Sequence, residues 1–179
     1  MHLNHAVFDV WVFRRGSTGV EYLLLRTSQL KAERYFNGGL FWQIPSGVFQ
    51  DEETVPEGID RELSAYGIHA NGIWAAEHAY TIYNRRFHEI QIISVYAAEV
   101  GGSDPRLNAA EHSESGWFSY DPALAAVHYR GLKDGLRSVR DYVTGPTAPA
   151  PELSLRAERP ARCRVLRRVE LSRSRTAVR

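Results

Sequence analysis

Residues 5–14, HAVFDVWVFR, are dense in β-branched and aromatic side chains and predict a strand, with residues 20–26, VEYLLLR, as its partner across a glycine-bounded turn at 16–19. Residues 40–44, LFWQI, form a third, short strand. Residues 72–83 and 87–100 are two longer strand-rich segments on either side of Asn84-Arg85-Arg86, which has the polarity of a hairpin tip. The helical pattern first appears after Thr54. Ile59 and Leu63 lie one turn apart on a face that should meet a sheet. Thr54 and Glu57 stand in the relation of a capping box, Pro56 falls in the first turn, and Gly67 suits the left-handed residue that closes a helix. Asp121-Pro122 predicts another helix start, an acidic cap followed by proline at the first helical position. A final helix over about 130–143 carries Leu132, Leu136, Val139 and Val143 on one stripe. Residues 27–39, TSQLKAERYFNGG, form a longer connection that reads first as a surface loop with an apolar clasp; the alternative is that its Lys31, Arg34, Tyr35 and Phe36 meet phosphate and base.

Composition bounds this picture. The chain of 179 residues, 44% hydrophobic and 24% charged, is enough for one substantial core with an extension. No apolar run approaches the ~18 residues of a membrane span, and the first residues lack the pattern of a secretory signal, so a cytoplasmic location is expected. The single Cys163 has no cysteine partner and reads as an unremarkable thiol. Charge divides the chain near Gly145. Residues 1–144 hold 13 basic and 18 acidic side chains, whereas 145–179 hold nine arginines and three glutamates. The expected organisation is a folded domain over 1–144, followed by a proline- and alanine-rich linker and an arginine-rich, disordered tail over 145–179. That tail has no aromatic residue to stack on bases, and the acidic body does not support nucleic-acid binding.

The candidate chemistry lies in residues 47–68, GVFQDEETVPEGIDRELSAYGI. Gly47, five residues, Glu53, seven residues, Arg61-Glu62-Leu63 and then Gly67-Ile68 resemble the Nudix box, G-x5-E-x7-R-E-U-x-E-E-x-G-U with U aliphatic. The chain departs from the box between Leu63 and Gly67. Three residues, Ser64, Ala65 and Tyr66, stand where the pattern has four, and the adjacent glutamate pair is missing. Two further stretches resemble Nudix sequences: Glu77-His78 with the Tyr-Ala-Ala-Glu-Val ending at residues 96–100, and the Glu-His-x4-Trp spacing of Glu111, His112 and Trp117.

The resemblance, over roughly residues 5–143, implies an α/β chain folded as a Nudix-type α/β/α sandwich with a mixed central sheet. It implies hydrolysis of a nucleotide-like pyrophosphate, a reaction that needs cations to neutralise phosphates and a polarised water. It assigns Glu53 and Arg61 to an ion pair that ties loop to helix. Glu62 and Glu111 become the catalytic carboxylates, with Glu114 as the rival of Glu111. Magnesium or manganese is expected on Glu62, Glu111 and the backbone at Ser46 and Gly47, and Arg26 and Trp42 are assigned to the substrate. Tyr66, one turn beyond Glu62, can hydrogen-bond a ligand or water. Glu77, His78, His88 and Glu89 are either acid-base candidates or the polar face of strands. With two anionic ligands missing, metal binding and turnover should be weakened. The alternative is a catalytically inactive Nudix-fold module that binds a nucleotide-like ligand or a protein partner.

Overall fold

Side chains of a strand point alternately to the two faces of its sheet, and in β1 (His2–Gly16) that parity divides the whole molecule. Phe8, Val10 and Val12 enter one core with Ile59 and Leu63; Trp11 and Phe13 enter the other with Leu132, Leu136, Val139 and Val143. β2 (Gly19–Thr27) repeats the division, sending Leu23 and Leu25 to the first core and Tyr22 and Leu24 to the second. The computed structural model describes residues 2–156.

The remaining strands are β3 (Trp42–Gln43), β4 (Ser46–Val48), β5 (Ala70–Asn84), β6 (Glu89–Val100) and β7 (His112–Phe118). All seven belong to one sheet with the central order β3-β2-β1-β6-β5, while β4 pairs with β1 and β7 with β2. β1 and β6 run parallel and the other pairs antiparallel, so the sheet is mixed. α1 (Gln29–Tyr35) follows β2 and α2 (Val55–Ala65) follows β4, packing on the Ile59 side; α3 (Tyr120–Ala126) and α4 (Arg130–Val139) cover the opposite face. This is an α/β/α sandwich with a mixed central sheet. Among the described residues no helix is long and apolar enough to cross a membrane.

The structure departs from the sequence reading at three places. The expected surface connection at 27–39 contains the seven-residue helix α1. The Ser28 hydroxyl caps it by accepting from the Lys31 backbone N–H at 3.0 Å. Ser119, rather than Asp121, precedes the next helix, so Pro122 falls in its first turn. The third concerns the expected linker, whose described part folds back onto the sheet. β5 is an edge strand, and its Ile73 carbonyl accepts from Leu155 N–H at 2.9 Å while Trp74 bridges to Ser154 and Leu153 is buried. Covering that edge satisfies backbone groups that composition alone gave no reason to consider. α4 continues into a π-turn, Arg140–Thr144, which keeps Val143 in the core. The arginine-rich tail from residue 157 onward, with Cys163, lies outside the described residues.

Candidate functional site

α2 begins as its sequence requires. The Glu57 carboxylate accepts from the Thr54 backbone N–H at 2.8 Å and from the Thr54 hydroxyl at 2.6 Å. The loop before it is fastened by Arg61, which donates to both oxygens of Glu53 at 2.8 and 2.9 Å and to the Val48 carbonyl at 2.9 Å. Those contacts hold the Glu53 carboxyl down at about 2, and both residues stand outside the pocket as a brace. Gly47 has a specific cause. A Cβ there would lie 2.7 Å from Phe8 Cζ and 3.0 Å from Glu62 Oε2, so only glycine lets the Glu62 carboxylate approach the β4 backbone.

The helix closes at Gly67, whose φ is +70°, with Ile68 N–H donating to the Leu63 carbonyl at 3.1 Å. Because the turn comes one residue earlier than in the box pattern, Tyr66 enters the pocket on the last turn. Its hydroxyl lies 3.2 Å from His112 Nε2, and the other ring nitrogen lies 3.4 Å from the Gln43 amide. Burial, with Lys31 nearby, pushes His112 down to about 4 and leaves the ring neutral near pH 7.

These groups line a cavity of about 250 Å³ together with Ser46, Glu62, Lys31 and Glu111. Lys31, reaching in from α1, is only 18% exposed and its Nζ stands 2.9 Å from the Glu111 carboxylate. That contact holds the Glu111 carboxyl below its ordinary range. Glu62 moves the other way: burial raises it, against the opposing charges of Arg61 and Lys31. Three of the expected residues, Ser46, Glu62 and Glu111, are thus brought to one cavity.

Their fit to a divalent ion is poor. Magnesium takes near-octahedral oxygen ligation, commonly through carboxylates that also cancel its charge. Here Glu111 is already paired with an ammonium, Tyr66 and His112 are bound to each other, and among the described residues no three His, Cys, Asp or Glu side chains are grouped so that they could hold a metal ion.

Two larger cavities adjoin. One, of about 790 Å³ between the sheet and the start of α4, shares Gln43, Ile44 and Ser46 with the first. Phe41 forms its aromatic wall, edge-to-face with Phe36 at 4.8 Å and with Tyr129 at 5.2 Å. Also lining it is Asp9, 5% exposed, accepting from the Tyr80 hydroxyl at 2.5 Å and lifted by burial to about 6. His78 lines the same space, and its Nε2 is buried with no hydrogen-bond partner among the described residues. The other cavity, of about 1110 Å³, shares Lys31 and Glu111 with the first and adds Arg34, Arg85 and Arg86. It also carries Tyr35, Phe36, Tyr83 and Phe87 and meets the cavity of about 790 Å³ at Phe36, Ile82 and Tyr83, so the three adjoin as one cleft with aromatic walls and its basic side chains gathered around Lys31, Arg34, Arg85 and Arg86.

Arg26 and Trp42, assigned to substrate from the sequence, line none of these cavities. Arg26 pairs with Glu114 at 3.3 Å, Glu114 itself lines none of the three, and Trp42 packs edge-to-face on Phe118 at 5.2 Å. Of the four open strand residues only His78 reaches the cleft; Glu89 accepts from Asn4 at 3.1 Å and Gln91 at 2.7 Å instead. Sequence reasoning missed Asp9 and Tyr80. The available signal was an acid two residues before Trp11, at an inward position of a strand.

No family model matches the chain, and no curated protein matches it. Solved structures do. A NUDIX hydrolase from Listeria monocytogenes is 18% identical over 80% of this chain and 97% of its own, with a TM-score of 0.66. The binary complex of a C. elegans Ap4A hydrolase is 17% identical over 82% and 100%, with a TM-score of 0.61. The NUDIX domain of Shewanella oneidensis NrtR in complex with ADP ribose is 16% identical over 79% and 87%, with a TM-score of 0.59. At these identities the likeness is one of fold, and that fold is the Nudix fold.

Proposed function

We propose that this Nudix-fold chain takes a nucleotide-like diphosphate into its continuous cleft and hydrolyses the pyrophosphate link slowly. The observation that carries the reading is the gathering of Lys31, Arg34, Arg85 and Arg86 in one cavity that meets the aromatic compartment around Phe41 at Phe36 and Tyr83, and the Glu62 pocket at Lys31 and Glu111. A ligand with a ring at one end and phosphates beyond it matches that arrangement. Two structures sharing the fold are described with ligands of this kind, Ap4A hydrolase by its name and NrtR by its bound ADP ribose.

In this reading the ring lies against Phe36, Phe41 and Tyr129, and the phosphates lie over Lys31 and Arg34. Glu62 stands beside the link to be cleaved. Its burial raises its proton affinity, the direction that suits a base taking the proton from the attacking water. Water oxygen bonds to phosphorus, the bridging P–O bond breaks, and the leaving phosphate carries away the bridging oxygen. Each preorganised charge missing from such a site costs roughly 10²–10³ in rate. Slow turnover follows from the absent glutamate pair.

A second reading, a module that binds the same ligand without turnover, is favoured by one specific observation. The Lys31–Glu111 ion pair and the Tyr66–His112 bond engage four of the pocket's polar side chains with one another. A nucleotide panel assayed for phosphate and pyrophosphate release, alongside calorimetric binding and with Glu62→Gln as control, separates the readings. Turnover lost in Glu62→Gln supports the hydrolase; binding without turnover supports the module. A folded protein that neither binds nor cleaves any member of the panel contradicts both.

A further inference from the structure

We infer that the Lys31 ammonium, rather than a divalent cation, supplies the positive charge of the Glu62–Glu111 pocket, so that phosphate binding there is independent of metal. This rests on the reading of the cleft as a phosphate site. Lys31 sits in the first turn of α1, which Ser28 fixes in place twice over. The Ser28 hydroxyl caps the helix and donates to the Ala110 carbonyl at 2.6 Å, while the Ser28 N–H donates to the Glu111 carbonyl at 3.0 Å. Cation and counter-ion therefore project from the two sides of one clasp, and their 2.9 Å contact is set by backbone as well as by side chains.

Charge and ligand count point the same way. A lysine only 18% exposed needs an opposite charge close by, and Glu111 provides it. A divalent ion placed between Glu62 and Glu111 would face that ammonium at short range, a repulsion that grows as the local dielectric falls. Nor, among the described residues, does a third anionic donor line the pocket to offset it. The box pattern's acidic pair is replaced by residues including Ala65 and Tyr66, and Tyr66 is engaged with His112. α2 brings only one carboxylate to the pocket, and α1 brings a lysine to it. An ammonium has three N–H donors, so Lys31 can keep Glu111 and still offer donors to phosphate oxygens.

The test is a manganese titration of the full chain, followed by the electron paramagnetic resonance signal of the free ion, on wild type and on Glu62→Gln. It is paired with calorimetric binding of the non-hydrolysable α,β-methylene ADP, in EDTA and in magnesium, to wild type, Lys31→Met and Lys31→Arg. Expected are no stoichiometric manganese binding by wild type, and nucleotide affinity in EDTA within about twofold of that in magnesium. Lys31→Met should lose about tenfold or more in EDTA, and Lys31→Arg should retain most of the affinity. One equivalent of manganese bound by wild type and lost in Glu62→Gln would overturn the inference, as would nucleotide binding that requires magnesium. Failure of the analogue to bind under any condition contradicts the cleft reading instead, and the manganese titration still decides which cation the pocket holds.

Discussion

Asp9→Asn tests the buried carboxyl through its effect on stability. Asp9 is 5% exposed, accepts from Tyr80 at 2.5 Å, and is lifted by burial from an ordinary 3.8 to about 6. Between those two pH values the native protein holds a proton that the unfolded chain has released. The stability contributed by the protonated form is therefore fully present below 3.8 and is lost as pH rises through 6. The interval from 3.8 to about 6, at ~1.4 kcal/mol per pH unit, makes ionised Asp9 a burden of about 3 kcal/mol at pH 7.5. Asparagine keeps the shape and an oxygen to accept from Tyr80, and carries no charge. The variant should be more stable than wild type at pH 7.5 by up to that amount, with the advantage shrinking below pH 6 and nearly gone below pH 4. Urea unfolding of both proteins from pH 4 to 8 measures the difference, and groups common to both cancel. A stability difference that does not change with pH would refute the reasoning, as would a variant less stable at pH 7.5.

Two further outcomes follow, one from the box glycine and one from the His112 that meets Tyr66. Gly47→Ala puts a methyl 2.7 Å from Phe8 Cζ and 3.0 Å from Glu62 Oε2; displacing either costs about 1–3 kcal/mol, to be read as a lower melting temperature, and an unchanged one would contradict the close approach. His112 should remain neutral in NMR titrations from pH 8 to 5 and protonate near 4. Since the unfolded ring takes its proton near 6.5, the stability this adds is present above 6.5 and falls as pH drops through 4; a native ring titrating near 6.5 would count against its burial between Tyr66 and Gln43.

What was legible in the sequence was whatever local chemistry decides. α2 carried its own start and stop in Thr54, Glu57, Pro56 and Gly67, and the Glu53–Arg61 pair formed at the spacing that implied it. α1 was not legible. Of its seven residues only Ala32 is buried, and Leu30 is 60% exposed, so no apolar stripe announced it; the helix depends on the Ser28 cap and on docking to Ala110 and Glu111, some 80 residues away. The candidate site divides in the same manner. Ser46, Glu62 and Glu111 were named and do share a cavity, whereas the lysine that pairs with Glu111 gained its neighbour only through that docking. Arg26 and Trp42 were assigned by position in the chain, and their strand environment turns them to Glu114 and Phe118. The prolines and alanines of residues 145–152 point to a linker, but the place of the segment at 151–156 that follows is decided by an open strand edge.

The wall shared by the aromatic compartment and the acidic pocket, Gln43, Ile44 and Ser46, bears on which ligands can occupy both. It is held at each end by strand pairing, Gln43 to Leu25 and Ser46 to Asp9, and between them Val10 N–H grips the Pro45 carbonyl at 2.9 Å. Such a sill does not stretch. Paired at both ends and gripped between them, it fixes where the aromatic compartment lies relative to Glu62. A ligand that touches both must fit that separation, because the protein has no slack there with which to adjust to it.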